Sequence, residues 1–211
     1  GEISRGIFAP VIRWNNGTFY MITTNVDQGG TLVVTSKTPQ GPWSDPFYLG
    51  ENAKGIDPSL FFDEDGTCYY VGTRPNSNGV QYNGDWEIWL QELDLENMRL
   101  IGESRTIWKG AMQNAIWPEG PHLYKMGEYY YLLHAEGGTA EEHCICVART
   151  KSLEKPFEGC PRNPVFTHRH LGRNYPVTCA GHGDLVDDGK GNWYIVMLAC
   201  RRCKGCSSMG R

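Results

Sequence analysis

Read for apolar and polar positions, the chain breaks into short, aromatic-rich apolar runs separated by polar turns that contain glycine. Four stretches can be laid over one another: residues 9–23, 57–71, 119–132 and 182–196. Each holds a short run, a turn such as Asn15-Asn16-Gly17 or Asp63-Glu64-Asp65-Gly66, and a second run of aromatic and β-branched residues. That is the signature of a β-hairpin. The first three units continue with a third strand at 31–36, 87–94 and 143–150, then an outer segment at 47–49, 105–109 and 163–167. Four antiparallel strands per unit, repeating every 48 to 63 residues, is the pattern of β-propeller blades. No helical period longer than about two turns interrupts it, which argues against an α/β fold. The expected architecture is one all-β domain over residues 1–211, with about three full blades and part of a fourth.

Composition agrees. The 26 Gly and 12 Pro supply turns, and 7 Trp with 11 Tyr supply both core and ring surface on which a sugar can stack. A net charge of −4 gives no basic footprint for nucleic acid. No run approaches the roughly 20 apolar residues of a membrane-spanning helix. The opening residues Gly1-Glu2-Ile3-Ser4-Arg5 lack the charged-then-apolar pattern of a signal peptide. Among eight cysteines, Cys200, Cys203 and Cys206 form a C-x2-C-x2-C run without the second knuckle of a zinc ribbon. Cys144 and Cys146 share one strand face, poorly placed for a mutual disulfide. Reduced, buried thiols are therefore expected, which leans toward a cytoplasmic setting.

The repeat also points to chemistry. Inner strands of a propeller begin near its axis, and the positions that open them here are Ala9, Asp57, Glu119 and His182. Two carboxylates and a histidine at one aromatic-lined mouth are the equipment for breaking a glycosidic bond. One carboxyl must stay protonated to donate to the leaving oxygen. Glu119, flanked by Trp117 and Pro118, suits that part, because burial and a second carboxylate both raise its pKa. Asp57 would remain ionised and hold the acid in place. Inversion also requires a base on the opposite face of the sugar, about 6.5–9.5 Å away, and no equivalent repeat position supplies one.

Several stretches resemble glycoside hydrolase family 43, the β-xylosidases, α-L-arabinofuranosidases and arabinanases. They are Gly6-Ile7-Phe8-Ala9-Pro10, Gly55-Ile56-Asp57-Pro58, Trp117-Pro118-Glu119-Gly120-Pro121, Ala135-Glu136-Gly137-Gly138-Thr139 and Gly181-His182-Gly183-Asp184. The resemblance implies a five-bladed β-propeller and an inverting mechanism on xylosides or arabinosides. It implies Glu119 as general acid and Asp57 as the residue that tunes and orients it. Phe8 would be the substrate platform, where the β-xylosidase-like branch usually has Trp, and Trp117 would line the mouth. His182 would hold a water or a structural Ca2+ at the axis, with no cofactor required for the chemistry, and Arg211 would contact sugar hydroxyls. The family's base is an Asp-Pro aspartate that precedes the Gly6 segment, so the chain is expected to be a fragment lacking the first blade and the C-terminal part. The expected partners are an oligosaccharide substrate and, through self-association, a second copy of the protein, not nucleic acid or membrane.

Weaker signals have plainer readings. Asn16-Gly17-Thr18 is a glycosylation sequon in a turn that wants Asn-Gly for backbone reasons. Asp63, Glu64 and Asp65 lack the spacing of a calcium loop and fit a polar turn. His168, Arg169 and His170 form a basic cluster that is either a subsite wall or a solvated loop, and Glu136 stands at a strand end near the mouth. Two other functions remain open at this point: a non-catalytic sugar-binding propeller, and a retaining fructosidase-like propeller, which would need an Arg-Asp-Pro motif that Gly55-Ile56-Asp57-Pro58 does not provide.

Overall fold

The computed structural model describes residues 5–201. The strands form in the predicted order. The first sheet runs β1 (Val11–Asn15), β2 (Thr18–Asn25), β3 (Gly30–Ser36) and β4 (Phe47–Tyr48), each antiparallel to the one before. The second runs β5 (Ile56–Phe62), β6 (Cys68–Pro75), β7 (Trp86–Asp94) and β8 (Arg99–Trp108). The third contains β9 (Glu119–Met126), β10 (Tyr129–Glu136), β11 (Cys144–Thr150), β12 (Glu158–Gly159) and β13 (Phe166–Thr167). A hairpin of β14 (Val177–Asp187) and β15 (Trp193–Arg201) begins the fourth. Among the described residues the one helical element is a 3-10 turn at Arg169–Leu171. Among the described residues the sheets do not close on themselves, as expected of an incomplete propeller.

Two expected boundaries moved. The outer strand placed at 105–109 begins at Arg99, because 99–108 pairs along β7. The outer segment placed at 163–167 splits, with β12 and β13 both pairing β11. The turn readings hold: Asn16 and Gly17 both take positive φ (46° and 76°), and Asp63 accepts the Gly66 N–H across its turn.

Blades stack face to face, and β7 shows why its Ile88-Trp89-Leu90 run is apolar without a gap. Trp89 and Leu93 face the first blade, in a cluster with Val11, Ile22, Val33, Leu60 and Tyr70. Ile88 and Leu90 face the third, in a cluster with Val71, Leu123, Leu132 and Ala148. A strand buried on both sides reads as a continuous hydrophobic run rather than an alternation. By contrast β15 is largely exposed, with Trp193 at 48% and Val196 at 68%.

Each inner strand of blades two to four starts with a register shift against its partner. A residue with left-handed backbone sits there in all three: Asp57 (φ 51°), Gly120 (φ 54°) and His182 (φ 50°). The repeat thus aligns Gly120, not Glu119, with Asp57 and His182. Glu119 stands one residue earlier, because its blade carries the glycine in the bulge.

The core should respond to truncation and the open hairpin should not. Leu132→Ala, at a fully buried site, is expected to cost about 2–5 kcal/mol in urea unfolding. Val186→Ala, at a site 54% exposed, is expected to stay within about 0.5 kcal/mol.

Candidate active site

Residues 117–121 are held by four backbone clamps. Trp117 N–H donates to Gly84 O at 2.7 Å. Thr73 Oγ1 donates to Pro118 O at 2.5 Å, and Ser59 Oγ donates to Pro121 O at 2.6 Å. Gly120 N–H donates to Asp57 Oδ2 at 3.1 Å. The Trp117 ring fits between two glycines: a Cβ on Gly138 would stand 2.8 Å from it and one on Gly84 would stand 3.2 Å from it. Gly120 is required twice, by its positive φ and by the His182 ring, which a Cβ would meet at 2.7 Å.

This frame places Glu119, Asp57 and His182 together. Glu119 Oε1 is buried with no hydrogen-bond partner among the described residues. Burial, followed by the charge of Asp57, pushes the Glu119 carboxyl up to about 8. Burial also raises Asp57, while His182 and the Gly120 N–H pull it back toward the ionised form. Of the pair, Glu119 is the better proton holder, because Asp57 has a donor and a neighbouring imidazole and Glu119 Oε1 has neither.

Behind these residues lies a polar network that sequence reasoning missed. Arg13 on β1 grips both oxygens of Asp184 on β14, at 2.7 and 2.8 Å. Its Nη2 also meets His122 Nδ1 on β9 at 3.0 Å. Because a guanidinium can only donate, that Nδ1 is unprotonated, and burial holds His122 neutral by pushing it down to about 3. Tyr124 O–H donates to Asp184 at 2.6 Å and accepts the Leu185 N–H at 2.8 Å. A cavity of about 810 Å³ is lined by Ala9, Arg13, His122, Tyr124, His182 and Asp184. The available signal was a polar residue inside each of three inner strands, Arg13, His122 and Asp184.

Other expected residues fall elsewhere. Phe8 is half-buried, and its backbone is pinned to β2 by bonds to Thr23 and Thr24. Glu136 does not line the cavity beside His182: it is buried, bonded to His134 and to Ala111 N–H. His168 caps Val177 O at 2.8 Å, while Arg169 and His170 lie in the 3-10 turn. Cys68, Cys144, Cys146, Cys160 and Cys179 are unpaired thiols. Arg211, Cys203 and Cys206 lie outside the described residues.

Compared with known proteins, residues 2–211 match the family model described as glycosyl hydrolases family 43. The chain belongs to glycoside hydrolase family 43. A "Xylosidase/arabinosidase" of Butyrivibrio fibrisolvens is 71% identical over the whole of this chain, which covers 41% of that protein. The crystal structure of a GH43_12 protein from a capybara gut metagenome is 40% identical with a TM-score of 0.86, over 95% of this chain and 38% of that one. That of a xylan β-1,4-xylosidase from Bacillus halodurans C-125 is 38% identical with a TM-score of 0.82, over 96% and 39%. The chain thus spans about two-fifths of the length of these family 43 relatives.

The family 43 site carries a burial cost that pH should reveal. A carboxyl raised from its ordinary 4.5 to about 8 binds its proton more tightly when folded, so stability falls as pH rises through that window. Glu119→Gln, which has no charge to bury, is expected to raise Tm at pH 9 relative to the parent, with little difference near pH 4. Arg13→Met leaves Asp184 without its ion partner and is expected to cost about 2 kcal/mol. A double-mutant cycle with Asp184→Asn should return most of that as coupling.

Proposed function

We propose that the chain carries the acid half of an inverting glycosidase centre that acts on xylosides or arabinosides of plant-wall oligosaccharides. The observation behind this is the half-buried Glu119, whose Oε1 is buried and unbonded and whose carboxyl is pushed up to about 8 by burial and by Asp57. Such a group is protonated at neutral pH and has its proton to give to a leaving glycosidic oxygen. Asp57, anchored to the backbone N–H of Gly120, is a positioning residue whose charge adds to burial in keeping the acid protonated. His182 packs on that same glycine and fixes the floor of the mouth. The names of the relatives, a xylosidase/arabinosidase and a xylan β-1,4-xylosidase, support the sugar class. Phe8, Trp117 and Arg211 would be its contacts in the substrate-binding wall.

The general base is assigned outside these residues. Asp57 is tied to Gly120, and both oxygens of Asp184 are taken by Arg13. A Ca2+ at the axis would be held by His182 through water, since water is among the oxygens that Ca2+ takes.

Loss of a general acid is felt most by poor leaving groups. In the longer protein that supplies the base, Glu119→Gln should lower kcat/KM on xylobiose or arabinobiose by about 10²–10⁴, with a much smaller loss on a dinitrophenyl glycoside. Equal loss on both would remove Glu119 from the acid role. Asp57→Asn removes the neighbouring negative charge, so the alkaline limb of the pH–rate profile should move to lower pH. Proton NMR of the first product should show the anomer opposite to the substrate. A parent that binds xylose without turning over either class of glycoside would favour a sugar-binding propeller instead.

A further inference from the structure

Away from the mouth, β10 and β11 bring four metal-binding side chains onto one face of the third blade. Cross-strand pairing sets His134 opposite Cys146 and Glu136 opposite Cys144, and residues two apart on a strand point the same way. All four are buried. One imidazole nitrogen of His134, a carboxylate oxygen of Glu136 and Cys146 Sγ lie within 4.8 Å of one another. Cys144 Sγ stands 3.9 Å from Cys146 Sγ but lies outside that group of three. With Zn–S bonds of about 2.3 Å, the sulfur–sulfur edge of a tetrahedral site is about 3.8 Å. The two thiols already hold that spacing.

Hydrogen bonds alone leave the cluster unsettled. His134 Nε2 faces Trp108 Nε1–H at 3.0 Å and Glu136 Oε1 at 2.9 Å. The indole can only donate and asks for a lone pair, while the ionised carboxylate can only accept and asks for a proton. On the other side of the ring, Nδ1 is buried with no hydrogen-bond partner among the described residues. That leaves His134 Nδ1 a buried polar atom without a match, which native interiors avoid. A cavity of about 210 Å³ is lined by Glu136, Cys144, Cys146 and Arg169 and reaches Met112, which is 63% exposed. It gives an ion a way in.

We propose that His134, Glu136 and Cys146 bind one Zn2+, with Cys144 turning in from beside Cys146 as the fourth ligand. Two sulfurs, a nitrogen and an oxygen suit zinc, whereas Ca2+ and Mg2+ prefer oxygen throughout. Two thiolates, a carboxylate and Zn2+ leave one net negative charge, which Arg169 on the same cavity balances. Glu136 also accepts the Ala111 N–H, and Gly137 N–H donates to Ile116 O. The ion would thus stiffen the loop that leads into Trp117.

The test uses the chain stripped with a chelator and titrated with Zn2+ and with Cd2+. One metal per chain is expected, with a thiolate-to-cadmium charge-transfer band. Cys146→Ala should lose about tenfold or more in zinc affinity and lose the zinc-induced rise in Tm. A Cys200→Ser, Cys203→Ser, Cys206→Ser triple variant should keep both. Absence of metal uptake and of the cadmium band in the unmutated chain would overturn the site, whatever the variants do. So would binding that survives Cys146→Ala and vanishes in the triple variant.

Discussion

The bond from Gly120 N–H to Asp57 ties the second blade to the third at the place where both meet the mouth. Much else hangs on it. It fixes the bulge that opens β9, and so fixes the direction in which Glu119 leaves the backbone. It also parks a carboxylate beside Glu119, and that charge joins burial in raising the acid. A single backbone donor therefore couples the packing of two blades to the ionisation of the side chain between them. Ser59 and Thr73 reinforce the same seam by donating to Pro121 O and Pro118 O, so the second blade supplies most of the grip on the acid's segment.

The price of this arrangement is local. A carboxyl with an unbonded buried oxygen is a poor structural residue, and at Glu119 burial and the Asp57 charge hold its proton on. The axis shows the opposite solution. There Arg13, His122, Tyr124 and Asp184 satisfy one another across three inner strands, with His122 kept neutral so that it can accept. One polar set is left short of partners and the other is closed, a few residues apart along the same strand β9.

Blade rhythm was legible in the sequence because each hairpin must turn with Gly or Asn and bury an aromatic run, and both demands are local. Glu119, Asp57 and His182 were legible because ionisable residues stood where the repeat called for a strand start. What the repeat could not show was the one-residue offset, since Glu119 and Gly120 fit the pattern equally well until φ is known. Arg13 and Asp184, 171 positions apart, pair only through the folded axis. Glu136 misled for a similar reason: its strand ends near the mouth, but its carboxylate turns back toward His134. Outer strands were placed least well, because β8, β12 and β13 are defined by pairing rather than by apolar runs.

Trp117, slotted between Gly84 and Gly138, has a consequence for how such a wall could diversify. A smaller residue in place of the ring would open a slot, a Cβ on Gly138 would press on the ring at 2.8 Å, and one on Gly84 would meet Ile116 at 2.5 Å before the ring at 3.2 Å. The three positions, drawn from three separate loops, are thus coupled, most tightly between Trp117 and Gly138. Variation in what the mouth accepts would more easily arise around this wall than within it.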